Sequence, residues 1–255
     1  PTANGCIGFP KTIAITVHPV PSVFRPTDQV VCNRGTTDAV IFNSFTSATA
    51  SANITWTNDD PSIGLAATGS GNIPAFTAVN NSGAPVTAHI TISIANNGCN
   101  GVPQTFSITV NPTPDMAQPA MQSLCNGATS NAVQYSSTVS NAVYTWTNSM
   151  PSIGLAASGS DAVPAFNAIN NSNAPVTATI TASSLAYGCY GTPAVFNITV
   201  NPTPTVDQPA SQSVCTGSAT TAIQFSGAVA GTTYNWTNDL PAIGIPANGT
   251  GNLLS

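Results

Sequence analysis

Three tryptophans, Trp56, Trp146 and Trp236, stand 90 residues apart, and the segments around them align with almost no gaps. Between 54–110 and 144–200, 36 of 57 positions are identical. Self-similarity of this kind marks duplication of one module, so the fold must be one that about 90 residues can build. Cysteines keep the same beat: Cys32, Cys125 and Cys215 are separated by 93 and 90 residues, as are Cys6, Cys99 and Cys189. The copies divide the chain as follows. Residues 1–21 read as the C-terminal strand of a truncated repeat, 22–114 and 115–204 as complete repeats, and 205–255 as the N-terminal part of another truncated repeat. This frame predicts a parent chain that extends both ways.

Inside each copy the apolar period is two. Val86, Ala88, Ile90, Ile92 and Ile94 alternate with Thr87, His89, Thr91 and Ser93, and Phe106, Ile108 and Val110 alternate with Thr105, Ser107 and Thr109. Alternation places one set of side chains on a buried face and the other in water, as in a half-buried strand. Further strands are expected near 28–32, 39–45, 53–58, 63–67 and 73–79. About seven short strands per module predict an all-β chain of tandem immunoglobulin-like sandwiches. The segments "HPVP" at 18–21 and "NPTP" at 111–114 and 201–204 follow the last strand of a copy, and paired prolines restrict each joint to extended conformations.

Composition narrows the function. Charged residues make up 4% of the chain, against about a quarter in an ordinary soluble protein. The only basic side chains are Lys11, Arg25 and Arg34, and the acidic set is eight Asp with no Glu. A nucleic-acid footprint needs clustered Lys and Arg, so nucleic acid is excluded as a partner. Thr, Ser, Asn, Gly or Pro interrupts every apolar run before about 18 residues, so no transmembrane segment is expected in this part. The solvent face is therefore nearly uncharged, with most of its polarity supplied by Thr, Ser and Asn, residues that suit strands and turns.

Six cysteines, two per full copy, are read most simply as one disulfide per module. Cys32 then pairs with Cys99 and Cys125 with Cys189, while Cys6 and Cys215 are half-pairs of the truncated repeats, with partners outside the segment. Closing either loop is worth roughly 4 kcal/mol on the chain-entropy model. Oxidised pairs imply an extracellular setting.

The segments "YTWTNSMPSIGLAASG" at 144–159, "IPAFTAVNNSGAPVTAHITI" at 73–92, "NGCNGVPQTFSITVNPTP" at 97–114 and "PTANGCIGFPKTIAITVHPVP" at 1–21 resemble the PKD-like or Ig-like tandem repeats of giant Bacteroidota cell-surface proteins, including gliding-motility adhesins. The resemblance implies an extracellular, cell-surface array exported by type IX secretion, in which the modules form a stalk or fibre. It offers no catalytic residues. The partners it implies are neighbouring repeats of the same long chain, other copies in a fibre, or a surface glycan.

Chemistry that resides in the module should recur in each copy. His89 aligns with Thr179, and His18 with Asn111 and Asn201, so no Ser-His-Asp or Cys-His constellation repeats, and no enzyme is expected. Gly69-Ser70-Gly71 echoes a phosphate loop but lacks the following Lys and helix, and reads as a turn. Asp59-Asp60 could suggest calcium, yet the matching residues are Ser149-Met150 and Asp239-Leu240, which leaves too few carboxylates for an ion that takes six to eight oxygens. No metal or cofactor is expected. Trp56, Trp146 and Trp236 read as core residues rather than a carbohydrate platform. Sequons at Asn53, Asn80, Asn170, Asn197, Asn235 and Asn248 are of the number that chance supplies in so Asn- and Thr-rich a chain. The neutral segments 61–69 and 80–87 are left as surfaces for contacts between modules or chains.

Overall fold

The computed structural model describes residues 1–42 and 52–254, and among them every regular element longer than one turn is a strand. In chain order the strands are β1 (Thr2–Ala3), β2 (Cys6–Ile7), β3 (Gln29–Cys32), β4 (Asn53–Asn58), β5 (Thr68–Ser70), β6 (Val86–Asn96), β7 (Cys99–Asn100), β8 (Gln104–Asn111), β9 (Gln122–Cys125), β10 (Val143–Asn148), β11 (Ser158–Ser160), β12 (Val176–Ala186), β13 (Cys189–Tyr190), β14 (Ala194–Asn201), β15 (Asn235–Thr237) and β16 (Asn248–Thr250). The chain divides into two units, Pro1–Thr113 with Tyr187–Cys189, and Pro114–Ala186 with Tyr190–Ser255.

The first unit holds a six-stranded sheet of order β3-β8-β6-β4-β5, with β7 paired to β6. Its centre is β6, where Ala88, Ile90, Ile92 and Ile94 are buried on one face and Thr87, His89 and Ser93 are exposed on the other. Phe106, Ile108 and Val110 of β8 continue the buried face. All pairings are antiparallel except β3 with β8, where Cys32 stands beside Asn111. Parallel neighbours require a long crossover, and the rest of the module supplies it.

A second layer closes over this face. Val23, Val40, Phe42, Ile63, Leu65, Ile73 and Ala78 complete the core around Trp56, but their segments pair only through isolated bridges, Thr36 with Thr77 and Val40 with Ile73. The expected strands near 39–45 and 73–79 are thus reduced to single bridges, and residues 43–45 lie outside the described part. The expected strand near 63–67 is a 3₁₀ turn, Pro61–Ile63, closed by Gly64 at φ 97°. Pro61 has no N–H for a ladder, and a left-handed residue breaks the pleat, so an apolar run that alternates like a strand is bent to drive Ile63 fully into the core.

The second unit repeats the plan strand for strand: β9-β14-β12-β10-β11, with β13 on β12 and β9 parallel to β14. Its core gathers Trp146, Ile153, Leu155, Val163, Ala168, Ile180, Phe196, Ile198 and Val200. Downstream, β15 and β16 form a two-stranded sheet. Residues 11–17, which align with β8 and β14, form no strand, and Ile13, Ile15 and Val17 are over 80% exposed. Alternation alone does not make a strand without a neighbour to complete its ladder.

One assignment is overturned. The disulfide joins Cys32 to Cys189, with Cα atoms 5.7 Å apart, and Cys99 and Cys125 carry free thiols. Pairing within a copy fails on geometry. Cys32 lies level with Asn111, next to Val110, which faces Val86 at the start of β6, whereas Cys99 pairs with Asn96 at its end. Ten strand residues at about 3.3 Å each put roughly 30 Å between these levels, far beyond the reach of a disulfide. Cys125 and Cys189 are separated in the same way along β12, since Cys125 is level with Asn201 and Val200 faces Val176. Even spacing counts cysteines correctly but does not say at which end of a sheet each one falls.

Candidate functional site

The disulfide is the feature with the strongest claim on function. Cys32 ends β3, and Cys189 follows the tight turn Tyr187-Gly188, in which both residues have positive φ, 50° and 79°. The same turn accepts a hydrogen bond at the Tyr187 carbonyl from Asn111 Nδ2, at 2.7 Å. Cys189 is almost fully buried and Cys32 partly so. A side-chain amide and a covalent bond therefore hold the tip of a hairpin against the ends of β3 and β8. Cys6, Cys125 and Cys215 are exposed, and Cys99 is half-buried with its Sγ 3.8 Å from the His18 carbonyl.

The polar residues that recur are structural. Asn80 and Asn170, both buried, use every hydrogen-bonding position of their amides. Nδ2 of Asn170 donates to the Ala174 and Val200 carbonyls at 2.8 and 2.7 Å, and its Oδ1 accepts from the Ser172 N–H and hydroxyl. Asn80 makes the same set with Ala84, Val110 and Ser82. Their backbone N–H groups donate to Asn33 and Asn126, the residues that follow Cys32 and Cys125. Asn58, Asn148 and Asn238 likewise each donate to a carbonyl seven residues on. Two of the sequon asparagines are thus consumed as buried fasteners, so segments 80–87 and 170–177 are pinned from within rather than offered as free loops.

Trp56 and Trp146 are buried and Trp236 is half-buried. Each faces a glycine in the paired strand: Gly69, Gly159 and Gly249. A Cβ on any of these glycines would overlap the indole ring. Gly69 is therefore part of the tryptophan's seat, and a phosphate-loop role has no room there. The Trp146 indole N–H donates to the Ala162 carbonyl at 3.2 Å.

Titratable groups do not converge. Asp59 accepts from the His89 N–H through Oδ1, and its Oδ2 lies 3.0 Å from His89 Nδ1. Asp60 Oδ1 accepts from the Ser62 N–H. In the second unit Ser149 takes the place of Asp59, donating no charge and accepting from the Thr179 N–H. The Asp59-Asp60 pair thus caps a turn and a strand edge. No group of three or more His, Cys, Asp or Glu occurs among the described residues. No described helix is long and apolar enough to cross a membrane.

Three exposed carboxyls are nonetheless held below their ordinary range. Asp28 is lowered from 3.8 to about 2, first by the Arg25 guanidinium bonded to it and then by the Ser107 N–H. Asp59 is lowered first by the His89 N–H, and Asp115 first by the Ser137 hydroxyl and then by the Thr138 N–H. A carboxyl with a depressed folded pKa contributes stability above its unfolded value and loses it as pH falls through the folded one. The midpoint of thermal unfolding is accordingly expected to hold down to pH 3.8 and to drop between 3.8 and about 2. Asp28→Asn should flatten that drop, and an unchanged acid profile in this variant would count against the Asp28 contribution.

The exposed faces of both sheets carry cross-strand hydroxyl pairs. Thr87 bonds Thr109 at 2.8 Å, Thr91 bonds Thr105 at 3.1 Å, and Thr177 bonds Thr199 at 2.9 Å. Such pairs stabilise neighbouring strands without charge.

The sequence matches no protein-family model and no curated protein. Among solved structures the chain is similar to titin domains I67–I69, at 10% identity and TM-score 0.48, over 86% of this chain and 79% of that one. It is also similar to human CDH23 EC21–23, at 15% identity and TM-score 0.42, over 93% and 90%. A further likeness is to DIP-gamma IG1+IG2, at 9% identity and TM-score 0.40, over 72% and 98%.

Proposed function

We propose that the chain is an extracellular structural repeat segment of a large bacterial surface adhesin, whose modules form a stiff, disulfide-stapled stalk or fibre. The observation that carries this reading is the Cys32–Cys189 bond, which ties the first strand of one copy to a hairpin turn of the next. A bond between copies adds little to the catalytic or binding chemistry of a module but resists the separation of modules under load and proteolysis. Disulfides persist in oxidising compartments, which supports an extracellular, cell-surface location. The absence of Lys and Arg beyond Arg34 also removes trypsin sites from most of the chain. The sequence resemblance to Bacteroidota repeats adds export by type IX secretion and a place in a gliding-motility type of adhesin. The domain frame of 1–21, 22–114, 115–204 and 205–255 belongs to the same reading, as does the absence of an enzymatic role.

The mass of the native polypeptide, denatured with and without reductant, tests it. A reduced mass far above 25.6 kDa is expected. A reduced mass near 25.6 kDa, with larger species only when oxidised, would instead identify a subunit of a self-assembling filament. The threonine ladders favour a second reading, in which the repeats themselves bind glycan or another surface. Saturable binding by the oxidised chain to a glycan-coated surface distinguishes this from a passive stalk.

A further inference from the structure

We infer that the cysteines of this module are built to pair one copy forward: each first-strand cysteine bonds the hairpin-turn cysteine of the copy that follows it. Cys125 and Cys215 are then receiving sites for a hairpin cysteine of a further copy, and Cys99 and Cys6 for a first-strand cysteine of a preceding one. The rule is independent of whether the array serves as a stalk.

Two observations carry this. The first is the bond that exists, between Cys32 of the first full copy and Cys189 of the second, across 157 residues. The second is the position of the free thiols. Cys125 occupies in β9 the place that Cys32 occupies in β3, each beside the last residue of the parallel neighbour, Asn201 or Asn111. Cys99 begins β7 as Cys189 begins β13, each after a tight turn of two positive-φ residues, Asn97-Gly98 and Tyr187-Gly188. Each copy therefore holds its cysteines at opposite ends of one sheet, about 30 Å apart by strand rise, and cannot close its own pair. The asparagine after the first-strand cysteine strengthens the parallel. Asn33 and Asn126 both accept from the N–H of the buried Asn80 or Asn170, so the strand end is fixed in the same way whether its thiol is bonded or free.

Bond formation is thiol–disulfide exchange. One cysteine thiolate attacks a sulfur of a carrier disulfide and releases one carrier thiol, and the second cysteine thiolate displaces the other. The two protein thiols lose two protons and two electrons in all, and the carrier disulfide is reduced to two thiols.

The test begins with the full 255-residue chain folded with oxidised glutathione as the carrier, alkylated at low pH and digested with pepsin without reduction. Mass spectrometry is expected to find Cys32 linked to Cys189, and Cys6, Cys99, Cys125 and Cys215 alkylated. The chain is then lengthened after Ser255 by a second copy of residues 166–204, which supplies the third copy with a hairpin cysteine. Cys125 should leave the alkylated set and appear linked to the added cysteine, while Cys215 stays alkylated. A bond from the added cysteine to Cys215, or a Cys125 that remains alkylated in a folded lengthened chain, overturns the rule. Cys189→Ser in the 255-residue chain gives a second test that does not depend on the extension folding. Cys32 should become fully alkylated, and a bond from Cys32 to Cys99 in this variant overturns the inference.

Discussion

Replacing Gly159 by alanine is expected to lower the unfolding free energy of the second sandwich by about 3 kcal/mol, near the upper end for adding one methyl group to a packed core. Gly159 stands opposite Trp146 across the β10–β11 ladder, and a Cβ there would overlap the indole ring. The ring has little room to retreat, because Trp146 is only 3% exposed and belongs to the same buried core as Ile153, Leu155 and Phe196. The repeat supplies its own control. Gly249 faces Trp236 in the same register, but that ring is only partly buried, against full burial for Trp146, and has more room to move aside, so Gly249→Ala is expected to cost under about 1 kcal/mol. Hydrogen exchange of the β12 and β14 amides reads the first loss, and that of the β15–β16 amides the second. In a Trp146→Leu background the penalty for Gly159→Ala should shrink to under about 1 kcal/mol, since the two sites then no longer collide. Equal losses at Gly159 and Gly249, or a penalty that persists without the tryptophan, would show that the ring is not the cause.

The glycine was readable in principle. It lies thirteen residues after the tryptophan in all three copies, at 56 and 69, 146 and 159, and 236 and 249. What hid it was chemistry that looked like something else, a Gly-Ser-Gly that suggests a loop. The sheet strands were legible because alternation in 86–94 and 105–110 extends over enough residues to fix both the strand and its buried face. The second layer was not, because Pro61 and Gly64 turn an alternating run into a 3₁₀ bend, and because segments such as 73–79 meet their neighbours only at single bridges. The cysteine pairing was hidden for a different reason. Its partners lie in different copies, and a count of two per module is identical whether the bonds close within copies or between them.

A chain almost without charge relies on buried amides in place of ion pairs. With 4% charged residues, ion pairs contribute little; Arg25 with Asp28 is a solvent-exposed pair, screened by water and weak as a source of stability. Loops that must pack against the core have to satisfy their carbonyls by other means, and the recurring asparagines do so. Gln29, Gln122 and Gln212 extend the pattern at the surface, each donating to the backbone carbonyl nine residues on.

Asn170→Ala is the sharper test of that idea, with an expected loss of about 3 kcal/mol. The substitution removes both donors of Nδ2 and leaves the Val200 carbonyl, at the buried end of β14, without that partner; it also takes the Oδ1 acceptor from the Ser172 N–H, while the Ser172 hydroxyl keeps the Ala174 carbonyl. A buried group deprived of its partner costs roughly 1 to 3 kcal/mol, and more than one is affected here. Asn170→Asp should cost at least as much, because it sets a carboxylate oxygen against the carbonyls that the amide served. Asn53→Ala is the matching control: it removes a sequon asparagine that is exposed at the start of β4 and should change stability by no more than about 0.5 kcal/mol. Urea unfolding of the oxidised chain compares the three. The buried state of the Asn170 amide also predicts that glycan is not carried at Asn80 or Asn170 of the folded protein, because each nitrogen that would be modified already gives both protons to carbonyls. A small loss in Asn170→Ala, together with a glycan at that residue, would mean that 170–177 stands open as a loop and that its recurrence reflects contact with something outside the module.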